Sequence, residues 1–183
     1  MIVQQVSVTF GDKRVLSSFS ADFSHGITCL RGASGGGKTT LLRVLAGLQK
    51  PDNGTVLQPF CRPAFMFQED RLFPWLTAAQ NVSAVLSAPN LREAAKWLAA
   101  VELNGEEDSY PGQLSGGMQR RVALARTLAY QGDALLLDEP FKGLDPPLVR
   151  RLIPLVTRQT VPVIIATHSD EEIALLGGRV IDL

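Results

Sequence analysis

The sequence contains few cysteines and no excess of charge of either sign. Two of its 183 residues are cysteines, Cys29 and Cys61, and they are not spaced as metal ligands. Lys plus Arg and Asp plus Glu both total 18. A chain without net charge has no global field to attract nucleic acid or an anionic membrane, so we expect no nucleic-acid partner. Cys29 lies in the apolar run ITCL, which fits a buried free thiol in a reducing cytosol.

Long apolar runs are absent as well. No segment approaches the 18 or so consecutive apolar residues of a membrane-spanning helix. The N-terminal MIVQQVSVTF lacks the basic start and long apolar core of a signal peptide. We therefore expect a cytoplasmic protein that another subunit would have to hold at a membrane. The length and the lack of repeats favour a single domain over residues 1–183.

The pattern of apolar residues predicts an α/β fold. IVQQVSVTF and VLSSFSADF alternate like antiparallel strands, whereas ITCLRG, AFMFQ, DALLLDEP, TVPVIIATHS and RVIDL predict the other strands. Helices are predicted at KTTLLRVLAGL, MQRRVALARTLAYQG, PPLVRRLIPLV and DEEIALLG, with Pro154 expected to kink or end the third of these. We expect a mostly parallel core sheet with helices on both faces and an N-terminal antiparallel β portion.

Residues 76–104 have a different composition, rich in Ala and Leu, and contain the runs TAAQNVSAVLSA and LREAAKWLAAVEL. These runs predict a helical insert, with Asn90 as the N-cap of the second helix. Together with the loop and helix that follow, the insert is expected to form a subdomain over about residues 72–130. PDNG, earlier in the chain, is expected to be a turn.

GASGGGKT at residues 32–39 matches the phosphate-binding P-loop pattern between a predicted strand and a helix. Glycines allow the backbone to surround phosphate oxygens, and the free N–H groups at a helix start favour an anion. Lys38 would reach the β- and γ-phosphates and Thr39 would bind Mg²⁺. The alternative is a flexible turn with a chance lysine. The candidate nucleotide-binding residues here are Gly32, Ala33, Ser34, Gly35, Gly36, Gly37, Lys38, Thr39 and Thr40.

ALLLDEP at residues 134–140 supplies carboxylates for the same site. An apolar strand that ends in Asp138 places this carboxylate at the sheet edge where such folds bind ligands, so Asp138 could hold Mg²⁺, through water. Glu139, next to the metal, could orient and deprotonate an attacking water. The alternative is an acidic pair that only caps a turn.

Six elements, in this order, resemble the ATP-binding subunits of ABC transporters: GASGGGKT, Gln68 in FMFQED, LSGGMQ, LLLDEP, GLD, and His168 in ATHS. The resemblance covers nearly the whole chain and implies the ABC ATPase fold with ATP and Mg²⁺ as cofactors. It also implies that two such subunits enclose two ATP molecules, each between the P-loop of one subunit and the LSGG loop of the other. Ser115, Gly116 and Gly117 would then bind the partner's nucleotide; alternatively, Ser115 only caps its own helix.

The resemblance implies further roles. Phe10 would stack on adenine, Gln68 would sense Mg²⁺ and water, and His168 would bind the γ-phosphate and position water with Glu139. Asp145 in GLD would cross the dimer interface. The alternatives are that Phe10 is a core residue at the end of its strand, that Gln68 is a surface amide, and that His168 is an ordinary surface or core residue. Lys38, Gln68, Glu139 and His168 are thus the catalytic candidates, and Thr39, Gln68 and Asp138 the metal ligands.

EDRLFPWLT at residues 69–77 is similar to the same stretch in importer subunits for nitrate, sulfonate, taurine and related solutes. The resemblance implies that Phe73, Trp75 and Leu76 contact membrane permease subunits, with a solute-binding protein as a further possible partner. The alternative is that all three side chains are buried in the insert. KGLD, where SALD or similar is frequent, leaves the role of Lys142 open.

These features favour a subunit at the inner face of the cell membrane that hydrolyses ATP to drive import by a separate permease. One alternative is a soluble ABC-type ATPase that acts on nucleic acid or a protein assembly. Such relatives tend to carry long coiled coils or two cassettes, and neither is present. A regulatory module that no longer hydrolyses ATP would not need Lys38, Asp138, Glu139 and His168. A GTPase or small-molecule kinase would have no use for LSGGMQ.

Overall fold

The computed structural model describes residues 1–183 and contains two β-sheets and six α-helices. Along the chain the elements are β1 (Ile2–Phe10), β2 (Lys13–Asp22), β3 (Ile27–Arg31), α1 (Lys38–Leu45), β4 (Asn53–Leu57), β5 (Pro63–Met66), α2 (Ala78–Ser83), α3 (Leu91–Ala100), α4 (Gly116–Ala129), β6 (Ala134–Asp138), α5 (Pro146–Thr157), β7 (Val163–Ala166), α6 (Asp170–Leu176) and β8 (Arg179–Asp182). None of the helices combines the length and apolar character needed to cross a bilayer.

The larger sheet has five strands in the order β5-β6-β7-β3-β8, and every neighbouring pair in it is parallel. Its strands alternate with helices along the chain, as the apolar pattern predicts. Parallel pairing brings the carboxyl ends of all five strands to one edge. The loops that carry the candidate site residues follow these ends.

Both faces of the parallel sheet are buried, which explains why its strands are continuous apolar runs. In β6, Leu135 and Leu137 join a core formed with α2 to α6, whereas Leu136 joins a second core formed with α1 and the smaller sheet. The expected placement of helices on both faces is confirmed.

The smaller sheet is antiparallel, in the order β2-β1-β4. The sequence predicts β1 and β2 but not β4, because its segment NGTVL is mostly exposed and lacks an alternating pattern. β4 begins at Asn53, inside the segment predicted as a turn. Gly54 allows this pairing: its φ is 89°, and a Cβ there would lie 2.4 Å from the Gln5 carbonyl oxygen.

The helical segments match the predicted insert in position, with differences at the ends. α2 stops at Ser83, before the end of the predicted run, and Asn90 caps α3 by accepting a hydrogen bond from Glu93 N, as predicted. α4 begins at Gly116, so both glycines of LSGG lie in the helix rather than before it. α5 continues to Thr157, so Pro154 does not end it.

The two cysteines are both free thiols, as predicted. Cys29 is buried in β3, and burial raises the pKa of its thiol to about 11. A thiol with a raised pKa has little thiolate and is chemically inert near neutral pH. Cys61 is exposed and lies before β5.

Asn81 of α2 holds the segment that precedes this helix. Its side chain is fully buried, its Oδ1 accepts from Phe73 N at 2.8 Å, and its Nδ2 donates to the carbonyls of Phe73, Leu76 and Thr77 at 3.0 to 3.1 Å. One amide thus satisfies four backbone groups in a stretch that has no regular secondary structure. The sequence offers no sign of this role.

Asn81→Ala is expected to lower the free energy of unfolding by about 2 to 3 kcal/mol, because the part-buried Phe73 N–H and Leu76 carbonyl would lose the partner that the Asn81 amide supplies. Chemical denaturation of the purified protein measures this change. Asn104→Ala, at an exposed turn position, is the control and should change stability by less than about 0.5 kcal/mol. An equal effect of the two substitutions would contradict the assigned role of Asn81.

Candidate functional site

Four candidate segments meet at one edge of the parallel sheet. The P-loop follows β3, Gln68 follows β5, Asp138 ends β6, and His168 lies just beyond β7. Since these strands are parallel, their carboxyl ends face the same side. This is the edge at which open α/β sheets bind ligands.

A single cavity brings most of the predicted nucleotide site together. It is lined by Phe10, Lys13, Val15, Ser34, Gly35, Gly37, Lys38, Thr39, Thr40, Gln68, Asp138 and Glu139. Gly32, Ala33 and Gly36 belong to the same loop but do not line the cavity. His168 borders a neighbouring cavity instead and reaches this site through Glu139. Lys13 and Val15, which the sequence did not single out, come from β2.

The P-loop has the geometry that an anion site requires. Gly35 and Gly37 have φ values of 81° and 98°, and a Cβ at Gly37 would lie 2.9 Å from the Val15 carbonyl oxygen. Lys38 is buried, and its Nζ donates to the carbonyls of Gly32 at 2.7 Å and Ala33 at 2.9 Å. The ammonium group is therefore held inside the loop, within reach of a phosphate that enters it. Any residue with a Cβ at position 37 would therefore have to displace β2.

The predicted metal ligands Thr39 and Asp138 are in direct contact. The Thr39 hydroxyl donates to Asp138 Oδ2 at 2.7 Å. Burial raises the pKa of Asp138, and the hydrogen bond from Thr39 opposes this effect. A hydroxyl and a carboxylate are the hard oxygen donors that suit Mg²⁺. The pair therefore fits a magnesium ion whose remaining ligands are phosphate oxygens and water.

Glu139 lies between two cationic or potentially cationic groups. Its Oε1 is 3.2 Å from His168 Nδ1, and its Oε2 is 3.4 Å from Lys142 Nζ. Oε2 is buried and has no hydrogen-bond partner. The backbone φ of Glu139 is 49°, a left-handed value that is costly for a non-glycine residue and is often found at functional sites. Glu139 and His168, which are predicted to position water together, are thus in contact.

The LSGG residues do not line the P-loop cavity. Ser115 is exposed and caps its own helix, because its Oγ accepts from Met118 N at 3.3 Å. Asp145 similarly caps α5 by accepting from Leu148 N at 3.2 Å. The LSGG and GLD loops are neighbours, since a Cβ at Gly117 would lie 3.4 Å from Leu144. Both loops are thus neighbours at the surface, and neither lines the cavity beside the chain's own P-loop.

The side chains of the EDRLFPWLT segment are largely exposed. Phe73 is 42% and Trp75 70% exposed, with their ring centroids 5.6 Å apart, whereas Leu76 is half-buried. The alternative that all three are buried in the insert is wrong. Phe73 and Trp75 form an exposed aromatic pair, which we call the aromatic patch.

Arg120 is a functional candidate that sequence reasoning missed. It is 4% exposed and donates to backbone carbonyls on both sides of the site, including those of Gln68 and Glu139. The only signal in the sequence is the run MQRRVALARTLA, which places two adjacent arginines in a helix with many apolar positions. The pattern could not say which groups either arginine contacts.

Comparison with known proteins agrees with this geometry. Residues 16–142 match the family model described as ABC transporter. An aliphatic sulfonates import ATP-binding protein, SsuB 3 of Paraburkholderia xenovorans, is 43% identical over 181 residues, which are 94% of this chain and 72% of that protein. The SsuB protein of Granulibacter bethesdensis is 42% identical over 99% of this chain and 78% of its own length.

Solved structures give the same result. A dimeric, post-hydrolysis structure of the ATP-binding cassette MJ0796 bound to ADP and Pi is 25% identical, with a TM-score of 0.85 over the whole of this chain and 93% of that chain. A second dimeric structure of the same bacterial ABC transporter cassette has a TM-score of 0.88 at 26% identity and the same coverage. The chain therefore belongs to the ABC transporter family, as an ATP-binding subunit with ATPase activity.

Proposed function

We propose that this subunit binds at the inner face of the cell membrane and drives the import of an aliphatic sulfonate or a similar small organic anion. Two subunits would enclose two Mg-ATP molecules, and hydrolysis would power separate permease subunits. The observation that carries the ATPase part is the single cavity that joins Lys38, Thr39, Asp138 and Glu139. Lys38 suits phosphate binding, Thr39 and Asp138 suit metal binding, and Glu139 suits the activation of water.

Lys38 and the P-loop backbone bind the β- and γ-phosphates. In the structure the Lys38 ammonium donates to the Gly32 and Ala33 carbonyls. Phosphate oxygens entering the loop carry more charge than these carbonyls and replace them as acceptors. The N–H groups at the start of α1 add to the attraction for the anion. Phe10, half exposed at the rim of the cavity, stacks on the adenine ring.

Thr39 and Asp138 hold the magnesium ion together with the phosphate oxygens. Their contact in the structure places the hydroxyl and the carboxylate on the same side of the cavity. The Mg²⁺ ion neutralises charge on the β- and γ-phosphates. Gln68 lines the same cavity and supplies an amide oxygen that can accept from metal-bound or attacking water.

Glu139 and His168 act on the attacking water. A general base must lie within hydrogen-bonding reach of the water that it orients, and Glu139 borders the cavity beside the metal ligands. His168 contacts Glu139 through Nδ1, which leaves Nε2 for the γ-phosphate. Proton transfer from water to the Glu139 carboxylate accompanies the formation of the new bond to phosphorus and the loss of ADP as the leaving group.

Ser115, Gly116 and Gly117 bind the nucleotide of the second subunit. The first N–H groups of α4 have no acceptor within the helix and point outward from its start. The bond from Met118 N to the Ser115 hydroxyl is long at 3.3 Å, so this hydroxyl can turn toward a γ-phosphate at small cost. Asp145, on the neighbouring loop, lies at the same interface.

Import and the sulfonate class are proposed from the relatives, which are aliphatic sulfonates import ATP-binding proteins. The aromatic patch is proposed as part of the contact with the permease. An exposed Phe and Trp side by side on a protein surface mark an interaction site. Residues 72–130, which contain this patch, remain the proposed helical subdomain of a single ABC ATPase domain. Nothing in the structure favours nucleic acid as the partner.

Glu139→Gln is expected to bind ATP normally but to hydrolyse it at least about 100-fold more slowly, because the amide cannot accept the proton. The variant should therefore accumulate as an ATP-bound dimer, which size-exclusion chromatography detects. Glu171→Gln, which removes an exposed carboxylate of α6, is the control. Wild-type turnover by Glu139→Gln would exclude Glu139 as the base.

Ser115→Arg is expected to block ATP-driven dimerisation while leaving ATP binding to the monomer unchanged, because the larger side chain occupies the place of the partner's phosphate. The dimer fraction is measured in a double variant that also carries Glu139→Gln, and binding to the monomer is measured by titration with ATP. Ser87→Arg, at an exposed position after α2, is the matched control. Loss of binding to the monomer would mean instead that the LSGG loop serves its own subunit's nucleotide.

Purification of the tagged subunit from its native membranes in mild detergent tests the transport assignment. We expect a polytopic permease at comparable stoichiometry, and loss of this partner in Trp75→Ser because the aromatic patch is removed. Leu48→Ser, which changes another exposed apolar residue outside the insert, should retain it. A subunit that purifies with nucleic acid or a soluble assembly would overturn the transport assignment.

The substrate class needs a separate measurement. Cells without the subunit should lose uptake of a labelled aliphatic sulfonate, and the wild-type subunit but not Glu139→Gln should restore it. Unchanged sulfonate uptake, with the permease still co-purifying, would contradict the substrate and leave the ATPase assignment intact.

A further inference from the structure

Arg120 is a buried cation that makes five hydrogen bonds to the loops of the catalytic site. Its two terminal nitrogens donate to the carbonyls of Phe67, Gln68, Asp138 and Glu139 and to the carboxylate of Asp70, at 2.5 to 3.1 Å. Asp70 is also its ion-pair partner, at 2.7 Å. A buried guanidinium with so many acceptors is costly to remove, because each acceptor would lose a donor.

The acceptors belong to two segments that are far apart in sequence. One is the loop after β5, which carries Gln68, and the other is the end of β6, which carries Asp138 and Glu139. One nitrogen of Arg120 contacts the first segment and the other nitrogen contacts the second. The planar guanidinium therefore fixes the separation and orientation of the two loops. A lysine could not do this, because it presents a single nitrogen.

The bond to Glu139 falls at a strained point of the backbone. Glu139 has a φ of 49°, which surrounding contacts must maintain. Its carbonyl accepts from Arg120, and its N–H donates to the Ala166 carbonyl at 2.9 Å. These two contacts hold the peptide groups on either side of the Glu139 side chain. The direction of this carboxylate depends on both.

We propose that Arg120 is a positioning residue for ATP hydrolysis, which sets the relative placement of Gln68 and Glu139 around the attacking water. This inference rests on the proposed roles of those two residues. Arg120 does not line the nucleotide cavity and contacts none of the P-loop. Its loss should therefore reduce the rate of the chemical step and leave the binding of ATP unchanged.

Arg121 provides a matched control on the same helix. Its guanidinium donates to the carbonyls of Val101 and Glu102, at the end of α3, and contacts nothing in the catalytic site. Arg121→Lys thus removes a comparable link between α4 and a neighbouring segment. If weaker attachment of α4 to its neighbours were enough to reduce activity, both Arg121→Lys and the corresponding Arg120→Lys would show the effect.

The experiment compares Arg120→Lys with Arg121→Lys in the purified subunit, or in its complex with the permease if turnover requires it. We expect kcat of Arg120→Lys to fall about 100-fold, as expected for a displaced catalytic group. The Kd for ATP should stay within about threefold of the wild type, because the contacts that bind ATP are not changed. ATP-driven dimerisation, measured in variants that also carry Glu139→Gln, should stay within the same range. Arg121→Lys should keep wild-type kcat. Thermal unfolding verifies that both variants fold, and Arg120→Gln replaces Arg120→Lys if the latter does not.

Two results would overturn the proposal. If kcat of folded Arg120→Lys stays close to that of Arg121→Lys, the contacts of Arg120 do not position the catalytic groups. If ATP binding is lost together with turnover, Arg120 supports the whole nucleotide site rather than the chemical step. Glu139→Gln is measured in parallel: wild-type turnover by that variant would refute the proposed base, which is a failure distinct from either result for Arg120.

Discussion

The parallel pairing of β5, β6, β7 and β3 is the constraint on which the rest of the structure depends. In register, Leu137 lies opposite Met66 on one side and Ile165 on the other, and Ile165 lies opposite Cys29. The four strands therefore end together. A shift of one of them by a single residue would turn its side chains to the opposite face and withdraw its loop from the common edge. The P-loop, Gln68, Asp138 and His168 lie at one edge of the sheet because this register holds.

The charges of the site are arranged to be stable before nucleotide binds. Lys38 is satisfied by carbonyls of its own loop, and Asp138 by the Thr39 hydroxyl. Both arrangements use weaker partners than the ones that Mg-ATP supplies. In the proposed site, binding would therefore exchange hydrogen bonds between a charged and a neutral group for contacts between opposite charges. The residues are held near their working positions, so little ordering is required on binding.

The sequence predicted the features that local segments determine. GASGGGKT and ALLLDEP are continuous, and their chemistry follows from adjacent residues. β4 was missed because NGTVL pairs with β1 through backbone groups while its side chains are mostly exposed. The environment of Phe73 and Trp75 was ambiguous because an aromatic residue fits a core or an interface equally well. The contacts of Arg120 join positions 18 to 53 residues apart, and no periodicity reports such a distance.

Two positions near the start of helix α4 have different roles in the proposed dimer. Ser115 at its start would face the nucleotide of the other subunit, and Arg120, five residues later, bonds the backbone of Glu139, the proposed base of its own subunit. The separation along the axis is about 7.5 Å, too short for a buried helix to bend appreciably. A displacement of the helix at one nucleotide is therefore a displacement at the other. In the proposed dimer, the geometries of the two nucleotide sites would thus be coupled through α4.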